Sequence, residues 1–127
     1  MRILLVDDQE INVFAWKVIL ESRGVDVLTA NNGKSAVECI SENTDIDIVF
    51  MDIMMPVMDG YEAMAYIRNE LNKKELPLIA ITGSSMPEDK NKCLESGATD
   101  YCVKPVSITD IIRLINKYSP SSNQIVL

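Results

Sequence analysis

The chain has 127 residues, of which 47% are hydrophobic, and a formal net charge of −7. This length and apolar content predict one domain with a substantial core. The negative charge argues against unaided binding to nucleic acid or to an anionic membrane surface, since both would be repelled. No apolar run approaches the roughly 20 residues that a membrane span needs, and no signal segment opens the chain. We therefore expect a cytoplasmic protein with neither nucleic acid nor membrane as its partner.

The three cysteines are Cys39, Cys93 and Cys102, and the chain contains no histidine. Their spacing includes no Cys-x-x-Cys pair, and without histidine they do not form a typical zinc site. The absence of histidine also excludes Ser-His and Cys-His catalysis. We expect three reduced and mostly buried thiols.

The first half of the chain predicts two strands and two helices in alternation. The first strand covers residues 2–6, and a helix follows Asp8 and stops at Gly24, which tolerates a left-handed helix end. Residues 25–30 are the second strand, and a second amphipathic helix follows Gly33. The core face predicted for the first helix consists of Asn12, Ala15, Trp16, Ile19 and Leu20. The same helix carries an apolar stripe, defined here as Ile11, Phe14 and Val18, on a different side.

The second half continues the alternation. Residues 46–51 are almost continuously apolar, which is typical of a strand buried on both faces at the centre of a sheet. The further elements are a helix over residues 60–71, a strand over 78–81, a helix between Pro87 and Gly97, a strand over 100–103, and a helix from about 108 that ends before Pro120. Residues 119–127 form a tail, either a frayed terminus, which we favour, or a docking segment. We expect one domain over residues 1–118 and no output domain.

Five strands that alternate with helices predict a doubly wound α/β fold of the flavodoxin-like (βα)5 type, with a parallel sheet in the order 2-1-3-4-5. Ligands bind such sheets at the carboxyl ends of the strands, near the switch point between strands one and three. The residues at the predicted strand ends are Asp7, Asp8, Asp52, Thr82 and Lys104. We expect these five side chains to meet at one edge of the sheet.

Three carboxylates at one edge repel one another unless a cation neutralises them. Mg²⁺ fits best because it prefers oxygen ligands and is often held by carboxylates together with phosphate oxygens. Asp52, on the central strand, is the expected nucleophile, since a carboxylate can attack phosphorus to give an acyl phosphate. Lys104 supplies a positive charge and Thr82 a hydroxyl donor for the phosphoryl oxygens.

Four stretches resemble the response-regulator receiver family: ILLVDD at residues 3–8, VFMDIMMPVMDG at 49–60, IAIT at 79–82 and DYCVKP at 100–105. The resemblance extends from residue 2 to about residue 118. It implies a phosphoacceptor switch in two-component or phosphorelay signalling, which catalyses only its own phosphorylation and dephosphorylation. The pattern Glu10-Ile11-Asn12 and the run KCLESGATDY at 92–101 look most similar to receivers of hybrid histidine kinases.

The resemblance also implies a role for individual residues. Asp52 resembles the phosphoacceptor, while Asp8, Asp7 (through water) and the backbone carbonyl of Met54 resemble ligands of Mg²⁺. Lys104 and Thr82 resemble the pair that binds the phosphoryl group, and Pro105 is expected to follow a cis peptide bond. Tyr101 resembles the aromatic residue that turns inward when the threonine hydroxyl moves. A half-buried strand tyrosine is the simpler interpretation of Tyr101.

The implied partners are a histidine kinase or a histidine phosphotransfer domain, together with a downstream protein target. We hypothesise that the apolar stripe docks the helical bundle that carries the donor histidine. Three alternatives stay open: a binding module of the same fold that no longer uses phosphate, an aspartyl phosphatase, and a flavin carrier. A phosphatase would have a second aspartate where Met54 stands, and a flavin carrier would have a Gly/Ser/Thr loop in place of Asp7-Asp8-Gln9-Glu10.

Overall fold

Five strands alternate with five helices along the chain in the computed structural model, which describes residues 1–119 and residue 125. The strands are β1 (Arg2–Val6), β2 (Asp26–Ala30), β3 (Ile48–Asp52), β4 (Leu78–Thr82) and β5 (Asp100–Val103). The helices are α1 (Glu10–Glu21), α2 (Gly33–Glu42), α3 (Gly60–Asn69), α4 (Pro87–Glu95) and α5 (Ile108–Tyr118). Each strand is joined to the next by one helix, as the sequence predicts.

The strands form one parallel sheet in the order β2-β1-β3-β4-β5, so the predicted topology is confirmed. β3 lies at the centre, where Val49 pairs with Leu4 of β1 and with Leu78 of β4. Every residue of β3 and β4 is buried. This agrees with the apolar run that indicated a central strand, although the run begins two residues before β3 does.

Two hydrophobic clusters cover the two faces of the sheet, because successive strand residues point to opposite sides. The first joins strand residues such as Phe50 to α1 and α5 through Val13, Leu20, Ile111, Ile112 and Ile115. The second joins strand residues such as Met51 to α2, α3 and α4 through Ala36, Ile40, Ala63, Met64, Ile67 and Cys93. Helices therefore pack on both faces, as in a doubly wound sheet.

Side chains cap three of the helices at the amino end. Asn32 accepts a hydrogen bond from the Ser35 amide at 2.8 Å, and Asp59 accepts one from the Glu62 amide at 2.9 Å. Ser107 and Asp110 form a reciprocal capping box at the start of α5. Each such cap stabilises a helix by about 1 kcal/mol. The starts of α2 and α3 both border the carboxyl edge of the sheet, so their caps also fix loops there.

The predicted core face of α1 is partly wrong. Val13 and Leu20 are the buried residues of this helix, whereas Asn12 and Ala15 are exposed. Eight of its twelve residues are apolar, so periodicity alone does not decide which side faces the sheet. The apolar stripe is exposed as expected, with Ile11, Phe14 and Val18 at 85%, 69% and 50%.

The predicted tail, residues 119–127, lies largely outside the described residues. Of its members, Ser119 and Ile125 are described, and Ile125 is buried in the cluster beneath α1 and α5. The Asn116 side chain donates to the Ile125 carbonyl at 2.8 Å and accepts from its amide at 2.7 Å. Within the described residues, no helix is long and apolar enough to cross a membrane.

Candidate functional site

The carboxyl ends of the strands bring the predicted polar residues to one edge of the sheet. Asp7 and Asp8 follow β1, Asp52 ends β3, Thr82 ends β4 and Lys104 follows β5. Backbone hydrogen bonds continue the sheet into this edge: the Asp7 amide donates to the Ala30 carbonyl at 3.1 Å, and the Lys104 amide donates to the Thr82 carbonyl at 2.8 Å. The positions of these side chains therefore follow from the strand order.

Three carboxylates form an acidic cluster, defined as Asp7, Asp8 and Asp52. One carboxylate oxygen from each lies within 4.8 Å of those of the other two. Asp7 and Asp52 are buried, at 4% and 1% exposure, while Asp8 is exposed. Carboxylates this close attract a cation, since their charges otherwise repel one another in a region with little water.

The Asp52 carboxylate has one partner on each oxygen. The Met54 amide donates to Oδ1 at 3.2 Å, and the Lys104 ammonium donates to Oδ2 at the same distance. The Lys104 side chain is 39% exposed, whereas that of Asp52 is 2% exposed. A buried carboxylate thus faces a partly hydrated ammonium group, which also faces any anion that arrives at Asp52.

The acidic cluster is electrostatically unfavourable for Asp7. Burial raises the pKa of Asp7, and the negative charges of Asp52 and Asp8 raise it further. The hydrogen bond from the Gln9 amide, at 2.9 Å, and the charge of Lys104 offset part of this increase. A divalent cation bound here would replace the repulsion with attraction.

The donor set fits Mg²⁺. The cluster supplies three carboxylates on rigid strand ends, and carboxylate oxygens are hard ligands of the kind that this ion prefers. Asp8 is exposed, which leaves room for the water ligands that Mg²⁺ usually retains. No cysteine belongs to the cluster, so softer metals have no advantage at this place.

Thr82 is buried at 5% exposure, and its hydroxyl oxygen accepts a hydrogen bond from the Ser84 amide at 3.1 Å. The Ser84 hydroxyl donates to Asp89 at 2.5 Å and accepts from the Met86 amide at 3.1 Å. These bonds hold the β4–α4 loop against the first turn of α4. Sequence reasoning did not identify Ser84 or Asp89, although a serine shortly before the start of a helix is a signal for this kind of turn.

Tyr101 is half-buried on β5 and packs against the cluster that includes α2, α3 and α4. The Lys90 ammonium group lies 5.1 Å from the centre of its ring, within the range of a cation–π contact. Lys90 belongs to α4, so the ring contacts the helix that follows Thr82. The Lys104–Pro105 peptide bond beyond β5 is cis.

Comparison with known proteins gives the family. The sequence model of one protein family, the response regulator receiver domain, matches residues 3–116 of this chain. This chain belongs to the response regulator receiver family. It is thus a receiver domain of two-component signal transduction. The function of this family is to accept a phosphoryl group. The match therefore favours a phosphoacceptor over a phosphatase or a flavin carrier.

Related proteins include a sensor protein and a two-component response regulator. The chain is 35% identical to part of the sensor protein GacS of Pseudomonas syringae pv. syringae, covering 93% of this chain and 13% of GacS. It is 30% identical to the two-component response regulator ORR11 of Oryza sativa subsp. indica, covering 94% of this chain and 81% of that protein. The chain therefore spans only a small part of some relatives and most of others.

Solved structures share the fold closely. The receiver domain of the Francisella response regulator 1452 matches with a TM-score of 0.84 and 31% identity, covering 92% of this chain and 94% of that one. The receiver domain of the sensor histidine kinase PA1611 from Pseudomonas aeruginosa PAO1 matches with a TM-score of 0.82 and 32% identity, covering 92% and 95%. The PA1611 structure contains a magnesium ion coordinated in its active site cleft.

Proposed function

We propose that Asp52 is the phosphoacceptor of this receiver and that it takes the phosphoryl group from a phosphohistidine on a donor protein. One observation carries the proposal: the Asp52 carboxylate is buried at the end of the central strand, between the Lys104 ammonium group and the carboxylates of Asp7 and Asp8. Phosphoryl transfer depends mainly on positioning and on neutralising charge, and this arrangement supplies both.

The reaction exchanges one bond of phosphorus for another. An oxygen of the Asp52 carboxylate attacks phosphorus, and the phosphorus–nitrogen bond of the phosphohistidine breaks. The electron pair of that bond remains on the imidazole nitrogen, which takes up a proton as the donor leaves. Lys104 holds one phosphoryl oxygen through its positive charge, and the Thr82 hydroxyl donates to another. Hydrolysis of the acyl phosphate by water would return Asp52 to a free carboxylate. The proposed reactions of the chain are therefore only its own phosphorylation and dephosphorylation.

Asp7, Asp8, Asp52 and the backbone carbonyl of Met54 would hold Mg²⁺. When bound, this ion supplies positive charge for the phosphoryl oxygens during transfer. The role of the protein is to present its oxygen donors on fixed strand ends, with Asp7 oriented by the Gln9 amide. The free cysteines Cys39, Cys93 and Cys102 support the cytoplasm as the place of action, because thiols remain reduced there.

Thr82 and Tyr101 are the proposed switch. The Thr82 hydroxyl is held by the Ser84 amide, and a phosphoryl group on Asp52 offers it a charged acceptor instead. Movement of Thr82 toward Asp52 vacates space beside β4, into which the ring of Tyr101 can turn. This movement would change the surface formed by α4 and β5, where a downstream protein target can recognise it.

The proposed donor is a histidine kinase or histidine phosphotransfer domain that docks on the apolar stripe of α1. A groove of about 720 Å³ lies beside this stripe, and both Phe14 and Asp7 line it. The groove thus connects an exposed apolar surface with the acidic cluster. Exposed apolar patches of this kind often mark protein interfaces.

Phe14→Glu tests the docking surface. The Phe14 ring is 69% exposed, so the substitution removes apolar contact area and adds a charge with little effect on the fold. We expect transfer from the donor protein to slow by about tenfold or more, as for loss of an aromatic hot spot, whereas phosphorylation by acetyl phosphate stays unchanged. Unaltered transfer from the donor protein would count against this surface.

The proposed phosphoacceptor is tested by mass spectrometry after incubation with acetyl phosphate and Mg²⁺. The mass of the chain should rise by one phosphoryl group, and chelation of the metal by EDTA should suppress the rise. Asp52→Asn removes the nucleophile but keeps a similar shape, so it should not gain mass. An unchanged mass of the unaltered chain would instead support a binding module that no longer uses phosphate.

A further inference from the structure

The loop between β3 and α3 contains a strained residue beside the proposed phosphoacceptor. Val57 has a φ of +70°, and the Met58 amide donates to the Pro56 carbonyl at 2.8 Å. These features define a three-residue γ-turn whose central residue has a positive φ, a rare and strained conformation. For a β-branched residue such as valine, a positive φ is an outlier that disfavours the folded state.

The surrounding structure forces this turn. The Met58 carbonyl accepts a hydrogen bond from the Gly33 amide at 3.0 Å, and the Gly60 amide donates to the Ile53 carbonyl at the same distance. Both ends of the loop are thereby fixed, one to the start of α2 and the other to the end of β3. Glycine at position 57 would adopt the same turn without strain.

Folding gains nothing from the side chain that carries this strain. Val57 is 78% exposed and belongs to neither core cluster of the described residues. In the same loop, Met55 and Met58 do pack against the second cluster. Valine at position 57 is thus strained and, among the described residues, largely unburied, so a contact with a partner protein would give its side chain a role.

The position of the loop next to Asp52 indicates that this partner is the donor protein. Asp52 is 1% exposed, so a phosphohistidine reaches it only if its protein presses against the rim of the site. The rim includes this loop, since Met54 bonds to Asp52 and is itself 74% exposed. A small phosphodonor such as acetyl phosphate enters without covering the rim. A donor protein that covers the rim therefore excludes water from Val57, whereas a small donor leaves Val57 in contact with water.

We propose that Val57 is a specificity-determining contact for the donor protein: its exposed methyl groups pack against an apolar side chain next to the donor histidine. The proposal rests on the proposed function of Asp52 and names a further part of the donor surface. Burial of an exposed valine at an interface stabilises a complex, so loss of this contact should weaken the affinity for the donor about tenfold.

Val57→Asn is the test, because asparagine tolerates a positive φ and lacks the apolar branches. The probe is the phosphorylated kinase or phosphotransfer domain of the source organism that transfers fastest to the unaltered chain. We expect KM for this donor to rise about tenfold with a smaller change in kcat. Phosphorylation by acetyl phosphate should keep its rate, and the melting temperature should stay equal or rise. Val57→Gly should give the same pattern.

Leu94→Ser is the matched control, since Leu94 is also exposed but lies near the end of α4. It should leave KM for the donor unchanged. The proposal is overturned if Val57→Asn transfers like the unaltered chain, if acetyl phosphate and the protein donor lose rate equally, if Leu94→Ser matches the loss, or if no phosphohistidine protein transfers at all. Failure of Asp52 as acceptor would be seen separately, because acetyl phosphate would then label neither the unaltered chain nor the variant.

Discussion

Asp7 shows at the level of one residue how the acidic cluster opposes folding. Its carboxyl group is buried beside Asp52 and close to Asp8. Burial is the largest cause of its raised pKa, and the negative charges of Asp52 and Asp8 raise this pKa further. An acid whose pKa is higher in the folded state destabilises the fold when ionised. Without metal, the stability contributed by Asp7 should therefore be present at low pH and be lost as the pH rises through the raised folded pKa.

Asp7→Asn should stabilise the metal-free protein at neutral pH. Asparagine retains an oxygen to accept the Gln9 amide but carries no charge. We expect the melting temperature in EDTA to rise by roughly 3–5 °C, the shift that about 1 kcal/mol produces in a domain of this size. Added Mg²⁺ should stabilise the unaltered chain far more than the variant.

Differential scanning calorimetry with EDTA and with excess Mg²⁺ measures both effects. Asp8→Asn is the comparison, because Asp8 is exposed and its removal should change the metal-free melting temperature less. A lower melting temperature of Asp7→Asn in EDTA would show that the carboxylate stabilises the fold, contrary to this argument.

At the level of elements, the start of α3 lies very close to the end of β3 at Gly60. A Cβ added at Gly60 would lie 2.6 Å from the Asp52 carbonyl oxygen and 2.8 Å from Ile53 Cα. Both are backbone atoms, so the loop or the strand end would have to shift. Gly83, in the β4–α4 loop on the same edge, has open space around its Cβ position.

Gly60→Ala should therefore destabilise the protein by about 1–3 kcal/mol, the range for overpacking, and should slow phosphorylation by acetyl phosphate because Asp52 is displaced. Gly83→Ala should change stability by less than about 0.5 kcal/mol. Urea unfolding followed by circular dichroism gives both values. Equal stability of the two variants would refute the close approach at Gly60.

The elements were predictable to different degrees. The strands lay within about two residues of their predicted ends, because alternation of β-branched and amphipathic segments gives a strong signal. The helix predicted over residues 60–71 ends at Asn69, and Leu71 still packs against the core outside it. The orientation of α1 was not predictable, since apolar residues surround most of that helix and only its contact with the sheet selects Val13.

At the level of the whole molecule, the site was predictable because the topology was. Once the order 2-1-3-4-5 is known, Asp7, Asp52 and Lys104 must share one edge, whatever the details of the loops. The strain at Val57 and the hydrogen bond between Ser84 and Asp89 were not predictable in this way. They depend on the conformations of loops, which have no periodic pattern and are determined by contacts distant in the sequence.

The division of the interior into two clusters has a consequence for how such a protein can diversify. The helix that carries Phe14 packs on one side of the sheet, together with α5, while Tyr101 and α4 pack on the other. The proposed docking surface on α1 and the proposed switch residue Tyr101 thus lie on opposite sides of a layer of strands, and both border the rim that holds Asp52. Substitutions that change donor recognition on α1 can therefore accumulate without repacking the hydrophobic cluster beneath Tyr101 and α4, and the reverse also holds. The same fold can in this way acquire a new donor or a new target independently.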